Sequence, residues 1–342
     1  MTASLRILQA GPALSLQDLG RPGYLAQGLT MGGAADPVAM YEGAALLRQP
    51  PSLAAIEMAG TGGSFSADTD VRIALTGAKM AANIDGEALI WNASHLLPAG
   101  ATLTIGGAQN GSYGYLHVGG GFGTETQMGS RASHLSAGLG RALQNGDSLP
   151  LGTDKGKDTA MTLPADTRFG GGVVRVVASM QTNAFAPETR ERFFQTPFKR
   201  DTRGNRMGIR MDHDGDGFST AAQLSIVSEV IVPGDIQITG DGTPFVLMGE
   251  CQTTGGYPRI GTVIPCDLPR VAQAQAGAAI RFEYIDVDQA VSLQLRYMKE
   301  LKGLTSRVTP LVRDPADIRD LLSYQLVGGV VSANADPFEQ EL

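Results

Sequence analysis

Short apolar segments alternate with turn residues along most of this chain. Each segment is bounded by Gly, Asp, Asn or Pro, a pattern typical of short β-strands. The intervals between them are too short to hold crossover helices, so the sequence favours an antiparallel barrel or sandwich over βαβ units. The segments of the first half are residues 5–8, 71–75, 88–91, 102–105 and 113–118, and those of the second half are 173–177, 225–232, 236–239, 245–248 and 279–284.

Helical periodicity is confined to three places. Asp36-Pro37 predicts a helix start, with the carboxylate as N-cap and the proline at the first helical position. After Tyr284 an apolar stripe predicts a helix whose stripe packs against the second β domain, and Asp314-Pro315 predicts a further helix through residue 322. The stripe consists of Val291, Leu295, Met298 and Leu301.

The chain turns polar between residues 152 and 168, where a domain boundary is expected. Residues 276–282 also repeat the pattern of residues 99–105, as two related β-barrels in tandem would. We therefore predict a mainly β protein with a few short helices. Its parts are an N-terminal β-barrel domain over 1–165, a second over 166–285, and a C-terminal helical extension over 286–342.

Charge and hydropathy exclude two kinds of partner. Lys and Arg total 27 against 34 Asp and Glu, a formal net charge of -7, so no broad cationic surface is available for nucleic acid. Polar residues or glycines interrupt every apolar stretch before it could span a membrane, and no signal peptide precedes them. A cytoplasmic location is expected.

Several apparent sites lack a required residue. The acidic turn at 212–217 imitates a calcium loop, but its twelfth position is Gln223 rather than a bidentate carboxylate. The four histidines show no metal-ligand spacing, and Cys251 and Cys266 are read as two buried small hydrophobes. No metal site is predicted. Neither the glycines at 119–123 nor residues 152–157 match a nucleotide-binding loop, and no GxSxG elbow occurs.

Two segments of the second half concentrate polar groups. Residues 204–210 place Asn205 beside Arg206, with Arg210 four residues on, and such guanidiniums suit a carboxylate, a phosphate or a developing oxyanion. A tie between an arginine and a carboxylate of this chain is an equal alternative. Residues 250–258 follow an apolar strand and supply the amide, hydroxyl and phenol groups of a small-ligand site, or of a structured turn. Its candidate residues are Gln252, Thr253, Thr254, Gly255, Gly256 and Tyr257.

These segments, together with residues 15–21, 75–78, 128–131 and 145–147, closely resemble the family containing KipA, the C subunit of 5-oxoprolinase and the carboxyltransferase domain of urea amidolyase. The motifs keep the family's order from about residue 5 to 284. The resemblance implies two cyclophilin-like β-barrels and two partners, a KipI-like protein and a LamB/YcsF-like protein, as further subunits. It implies ATP-driven opening of the lactam 5-oxoproline to glutamate, with ATP shared with a partner.

The resemblance leaves two alternatives open. One is carboxyl transfer from biotin on a separate carrier to urea or another small amide, although the acidic turn at 212–217 replaces the Trp-Ala-Arg stretch of urea carboxylases. The other is a regulatory KipI-binding protein without catalysis.

Family motifs also suggest residue roles. Arg206, Arg210, Gln252 and Tyr257 are the catalytic candidates, and Asn205 with residues 253–256 would bind substrate. Further family-motif residues are expected to hold loops at the domain junction rather than to touch substrate. They are Gln17, Asp18, Arg21, Ser130 and Arg131, with Gln181 kept where Ser-Met-Gln replaces the Gly-Pro-Gln of many relatives.

Overall fold

The structure, a computed structural model, describes residues 3–220 and 227–312. Its first ten strands belong to one large sheet, called here the first sheet. They are β1 (Ser4–Gln9), β2 (Leu14–Gln17), β3 (Ala55–Ala59), β4 (Ser64–Ala67), β5 (Val71–Ile84), β6 (Glu87–Ala88), β7 (Ala93–Leu97), β8 (Thr102–Val118), β9 (Ser148–Pro150) and β10 (Met161–Thr162). The long strands β5 and β8 pair along most of their length and form the centre of this sheet.

The next nine strands form the second half. They are β11 (Gly172–Val177), β12 (Phe198–Gly204), β13 (Gly208–Asp212), β14 (Glu229–Val230), β15 (Asp235–Ile238), β16 (Pro244–Leu247), β17 (Thr254–Gly255), β18 (Arg259–Val263) and β19 (Ala279–Tyr284). Seven of them close into the second barrel in the order β11-β18-β15-β16-β13-β12-β19, and β14 pairs with β17 as a separate ribbon. A cluster of phenylalanines that includes Phe193, Phe198 and Phe282 fills the barrel interior.

The α-helices are α1 (Pro37–Leu47), α2 (Pro187–Gln195), α3 (Leu268–Gln273) and α4 (Val287–Lys302), and the last described strand, β20 (Thr309–Pro310), returns to pair with β10 of the first sheet. The predicted mainly β fold is confirmed. The helix start at Asp36 is also confirmed, because its carboxylate accepts a hydrogen bond from Val38 N at 3.1 Å. The domain limits at 165 and 285 stay a prediction.

Three strand predictions differ from the structure. Residues 102–105 and 113–118 belong to one continuous strand, β8, since nothing in the glycine-containing segment between them stops the ladder with β5. Of the predicted strand 88–91, only residue 88 is strand, since β6 ends there; Asn92, just before β7, adopts a left-handed conformation (φ 57°). Of the segment 225–232, only β14 is strand, and residues 225 and 226 lie outside the described residues.

The stripe predicted on α4 is wrong in part. Val291 and Leu295 are 51% and 67% exposed, whereas Leu301 is buried in a cluster with Leu46 and Leu47 of α1. The buried face runs through Tyr297 and Leu301, so the end of α4 packs on the first half of the molecule rather than on the second barrel alone. The helix predicted from Asp314 falls outside the described residues.

The cysteines also differ from their prediction in part. Cys251 is buried as expected, but Cys266 is partly exposed, and both are free thiols. Within the described residues, 3–220 and 227–312, no helix is long and apolar enough to cross a membrane. Over the same ranges, no cluster of His, Cys, Asp or Glu is arranged to hold a metal ion.

His117, on β8, gives a prediction about acid stability. Its ring lies fully buried against α1, its Nε2 is 2.8 Å from the Thr76 hydroxyl, and burial lowers the pKa of His117 to about 3. As pH falls from about 6.5 towards 3, the unfolded chain binds a proton here that the folded chain does not. We expect the free energy of unfolding to fall by up to about 1.4 kcal/mol per pH unit in this window from this residue.

Urea denaturation at a series of pH values would measure this slope. The variant His117→Gln, which keeps a donor for Thr76, should show a smaller slope than the wild type. Equal slopes for the two proteins would contradict the assignment.

Candidate functional site

The two polar motifs of the second half meet at one cavity. Asn205 from the first motif and Gln252 and Tyr257 from the second line a cleft of about 530 Å³ on the outer face of the second barrel, against β15 and β16. We call this the barrel cleft. Gln237 lies at its floor, with an amide nitrogen that has no hydrogen-bond partner among the described residues. Residues of both motifs thus lie around one cleft, but the candidate arginines Arg206 and Arg210 do not line it.

A second cavity, of about 520 Å³, adjoins the barrel cleft and shares with it the side chains of Met207, Cys251 and Gln252. The loops of the first sheet contact the second barrel in a region that we call the seam. The second cavity lies in this region, and we call it the seam cavity. Both halves of the molecule line it. The first half contributes Thr30, His134 and Ser136, and the second contributes Glu250, Thr253 and Thr254.

Arg206 is held by carboxylates from both halves. Its Nε donates to Glu250 Oε1 at 2.5 Å, one terminal nitrogen donates to Glu57 Oε1, and the other donates to the carbonyl of Gly33 at 2.5 Å. Burial opposes the charge, but the two carboxylates outweigh it and raise the pKa of Arg206. All three nitrogens of the guanidinium thus bind acceptors of this chain. This arrangement matches the alternative in which the arginine pairs with the chain's own carboxylates.

The ion pairs at Arg206 continue through the seam as a buried chain. Glu57 Oε2 accepts a hydrogen bond from the Tyr115 hydroxyl at 2.7 Å, and that hydroxyl accepts one from the backbone N–H of Asp36 at 2.8 Å. Asp36 and Glu42 then share the guanidinium of Arg168, at 2.7 Å and 2.8 Å. Charges buried in this way are satisfied only while the two halves keep their relative position.

Arg210 is engaged within its own hairpin. Its Nη1 lies 2.6 Å from Asp201 Oδ2, and Asp201 also binds Arg203 at 3.0 Å. These arginines, Arg203 first, lower the pKa of Asp201 well below its usual range. Asn205 Oδ1 accepts from the backbone N–H groups of Met207 and Gly208, at 2.8 Å and 3.2 Å, and so shapes the turn that carries Met207 into both cavities.

The segment of residues 253–257 is positioned by the ribbon of β14 and β17. Gln181 supports this ribbon, since its amide donates to Glu229 at 2.9 Å and its oxygen accepts from Arg259 N at 3.0 Å. A Cβ at Gly255 would lie 2.6 Å from Gln237 Nε2, so a side chain there would displace the Gln237 amide. Gly256 follows Gly255 in the turn that leads to Tyr257, whose ring is half exposed at the cleft.

The first-half motif residues form hydrogen bonds beneath the seam cavity. Asp18 accepts from the Ser130 hydroxyl at 2.6 Å and from the backbone N–H of Arg131 at 2.7 Å. Gln17 donates to the carbonyl of Ser133 at 3.1 Å, next to His134. These bonds fix the loop that presents His134.

Arg21 belongs to the same group. Its side chain is buried, it donates to the carbonyls of Gln127 and Ala132, and burial lowers the pKa of Arg21. One of its terminal nitrogens has no partner within the described part of the chain. Arg21 therefore fastens the loop of residues 127–132 to the loop that follows β2.

His134 is a titratable group that lines the seam cavity. The Thr30 hydroxyl donates to the carbonyl of Cys251 at 3.0 Å and lies 2.9 Å from Nε2 of His134. The Ser136 hydroxyl likewise donates to the carbonyl of Glu250 at 3.1 Å and lies 3.2 Å from Nδ1, so either ring nitrogen can carry the proton. Nδ1 is also 4.0 Å from Glu250 Oε2. Burial lowers the pKa of His134, against the opposing effect of Glu250. The imidazole is neutral at pH 7.

Sequence reasoning missed this part of the site. His134 was judged only by metal-ligand spacing, and Ser136 and Thr30 carried no motif. Glu250 stood in the second motif without an assigned role. The signal that could have found His134 is its position three residues after the Ser130-Arg131 motif.

A model of the carboxyltransferase domain, subdomains A and B, matches residues 27–284. The C subunit of 5-oxoprolinase from Escherichia coli (strain K12) is 32% identical over 305 residues, covering 87% of this chain and 97% of that protein. The urea amidolyase of Saccharomyces cerevisiae is 24% identical over 357 residues, but this chain spans only 19% of its length. The crystal structure of the Kluyveromyces lactis urea carboxylase superposes with a TM-score of 0.79 at 21% identity, over 92% of this chain and 31% of that one, which shows a shared fold.

Proposed function

This chain belongs to the carboxyltransferase-domain family, and from that premise we propose that it is the C subunit of a 5-oxoprolinase-type complex. In this proposal the complex opens the lactam of 5-oxoproline to glutamate with ATP. The observation that supports it most is the seam cavity. There a neutral histidine and a glutamate from opposite halves face the Gln252–Thr254 segment.

Opening a lactam requires three events at one place. Water adds to the carbonyl carbon, the bond between that carbon and the ring nitrogen breaks, and the nitrogen gains a proton. His134 can take the proton from water and return it to the nitrogen, because burial lowers its pKa and a neutral imidazole keeps one ring nitrogen able to accept a proton. Gln252, Thr253 and Thr254 offer amide and hydroxyl donors for the carbonyl oxygen.

Arg206 acts in this proposal as a positioning residue. Its guanidinium holds Glu250 beside His134, and it also binds Glu57 of the first sheet. The barrel cleft is where a part of the substrate or a partner's group would enter. Asn205 and Tyr257 line this cleft, and Arg210 supports its wall.

ATP does not fit the residues of the two cavities. Among the described residues that line them, Arg203 is the one cation, and it is paired with Asp201. A triphosphate would need several free cationic or backbone donors. We therefore place ATP on the proposed partners, a KipI-like protein and a LamB/YcsF-like protein.

The test is an assay of the purified chain with and without both partners. We expect 5-oxoproline-dependent ATP hydrolysis with the complete set alone, and a fall of at least about tenfold for Gln252→Ala. Gln195→Ala, on the exposed face of α2, is the matched control and should behave as wild type. Folded partners that bind the chain yet give no turnover would sink the proposal in favour of the regulatory alternative.

A second candidate is carboxyl transfer from biotin on a separate carrier to a small amide. It is favoured by the family's carboxyltransferase description and by the likeness to urea amidolyase. The same two cavities could hold a carrier's ureido ring and an amide. This candidate predicts transfer of labelled carboxylate from a carboxylated carrier, and loss of that transfer on adding avidin.

A further inference from the structure

A third cavity, of about 310 Å³, shares no lining residue with the barrel cleft or the seam cavity. We call it the helix cavity. Its walls are α1, the segment of residues 163–168, the turn and helix of residues 266–270, and α4 with the residues that follow it. It thus lies where the two halves of the molecule and α4 meet.

Five arginines line the helix cavity, and two of them are neutralised. Arg168 is bound by Asp36 and Glu42, and Asp166 lies 3.6 Å away. Arg175 forms a two-point pair with Asp267 at 2.5 Å and 2.7 Å. These carboxylates are occupied by their own arginines.

The other three arginines, Arg270, Arg296 and Arg307, have no carboxylate partner within the described residues. Arg270 donates only to backbone carbonyls, at 2.8 Å to Gly171 and 3.4 Å to Thr167. Arg296 and Arg307 make no hydrogen bond or ion pair with any described residue. Glu300 also lines the cavity without pairing to any of them.

The cavity offers one further donor. Tyr297 is partly buried in its wall, and its hydroxyl makes no hydrogen bond to another described residue. A chain with a net charge of -7 thus gathers three unpaired guanidiniums and a free hydroxyl at one concave site. Such forks match the oxygens of phosphoryl and carboxylate groups, and the volume is at the lower end for small-ligand sites.

We propose that the helix cavity binds a small, multiply charged oxyanion, of the size of phosphate to pyrophosphate, through Arg270, Arg296 and Arg307. The bound anion bridges α4 to the junction of the two halves. Its wall residues Arg168 and Glu42 are also the far end of the buried chain that reaches Arg206, so occupancy would stabilise the seam.

Calorimetric titration of the full chain at constant ionic strength tests the proposal, with pyrophosphate in one arm and succinate in another. Saturable binding of either anion is expected, and the responding arm identifies phosphoryl or carboxylate as the chemistry. Affinity should fall at least tenfold in the double variant R296Q/R307Q. It should stay unchanged in Arg281→Gln, an exposed arginine on β19. Absence of binding in both arms, or equal loss in the control, would overturn it.

Cys266 locates the bound anion independently. This partly exposed thiol lines the helix cavity, whereas Cys251 is buried elsewhere, and mass spectrometry separates their peptides. The anion that binds should slow alkylation of Cys266 in the wild type and leave the rate unchanged in R296Q/R307Q. Binding heat without protection of Cys266 would place the anion elsewhere and refute the site. Circular dichroism of the double variant checks that it is folded.

Discussion

Replacing Arg206 by alanine is expected to lower the free energy of unfolding by about 3–5 kcal/mol. The substitution leaves Glu57 and Glu250, which are 2% and 3% exposed, as uncompensated buried carboxylates at the contact of the two halves. Glu57 keeps its bonds to Tyr115 and to the backbone of Ala35, but neither supplies a positive charge. Urea denaturation monitored by fluorescence and circular dichroism would measure the change.

Arg281→Ala serves as the control for the loss of a guanidinium. That side chain is exposed, and its ion pair with Glu283 is long, at 3.9 Å. Its effect should stay within about 0.5 kcal/mol. Arg206→Lys should fall between wild type and alanine, since it keeps the charge but cannot fill three acceptors in one plane. If Arg206→Ala were as stable as wild type while the complex lost turnover, the guanidinium would be acting on substrate and not as a tie.

The second large effect is expected for His134→Gln in the assembled complex. Removing a general base typically lowers turnover by about 10²–10⁴-fold. A glutamine can still donate to Thr30, so the free energy of unfolding should change by less than about 1 kcal/mol. Steady-state assays should show the loss in kcat rather than in KM, and the acid limb of the wild-type pH profile should disappear from the residual activity.

His95→Gln is the matched control, since His95 lies on β7, lines neither cavity and has its Nε2 at 2.8 Å from the carbonyl of Ile90. It should leave turnover unchanged. A variant of His134 with wild-type kcat would remove the imidazole from the proposed chemistry, and the search for the proton acceptor would move to Glu250.

The parts of the fold that local chemistry specifies were predictable. Asp36-Pro37 starts a helix because a carboxylate cap and a fixed φ act within a few residues. The face of α4 was not predictable in the same way. Its apolar positions allow two overlapping stripes. Which of them is buried depends on packing against side chains of α1, which is far away in sequence.

The candidate site shows the same division. The family motifs named Asn205, Gln252 and Tyr257 as candidates, and these three residues line one cleft. The partner of Arg206 could not be read from the sequence, because Glu57 lies 149 positions away on another sheet. His134 and Thr30 are similarly separated by 104 positions. Contacts of this range depend on how the two halves dock, which no local pattern encodes.

The pairing of β20 with β10 has a consequence for synthesis on the ribosome. The first sheet receives its outermost strand only after residue 310 has emerged, when the whole second barrel has already been translated. A nascent or truncated chain that ends before that point leaves the backbone groups of Met161 and Thr162 open to pairing with a neighbouring chain. Chains shortened behind the second barrel should therefore be more prone to aggregate than the full chain.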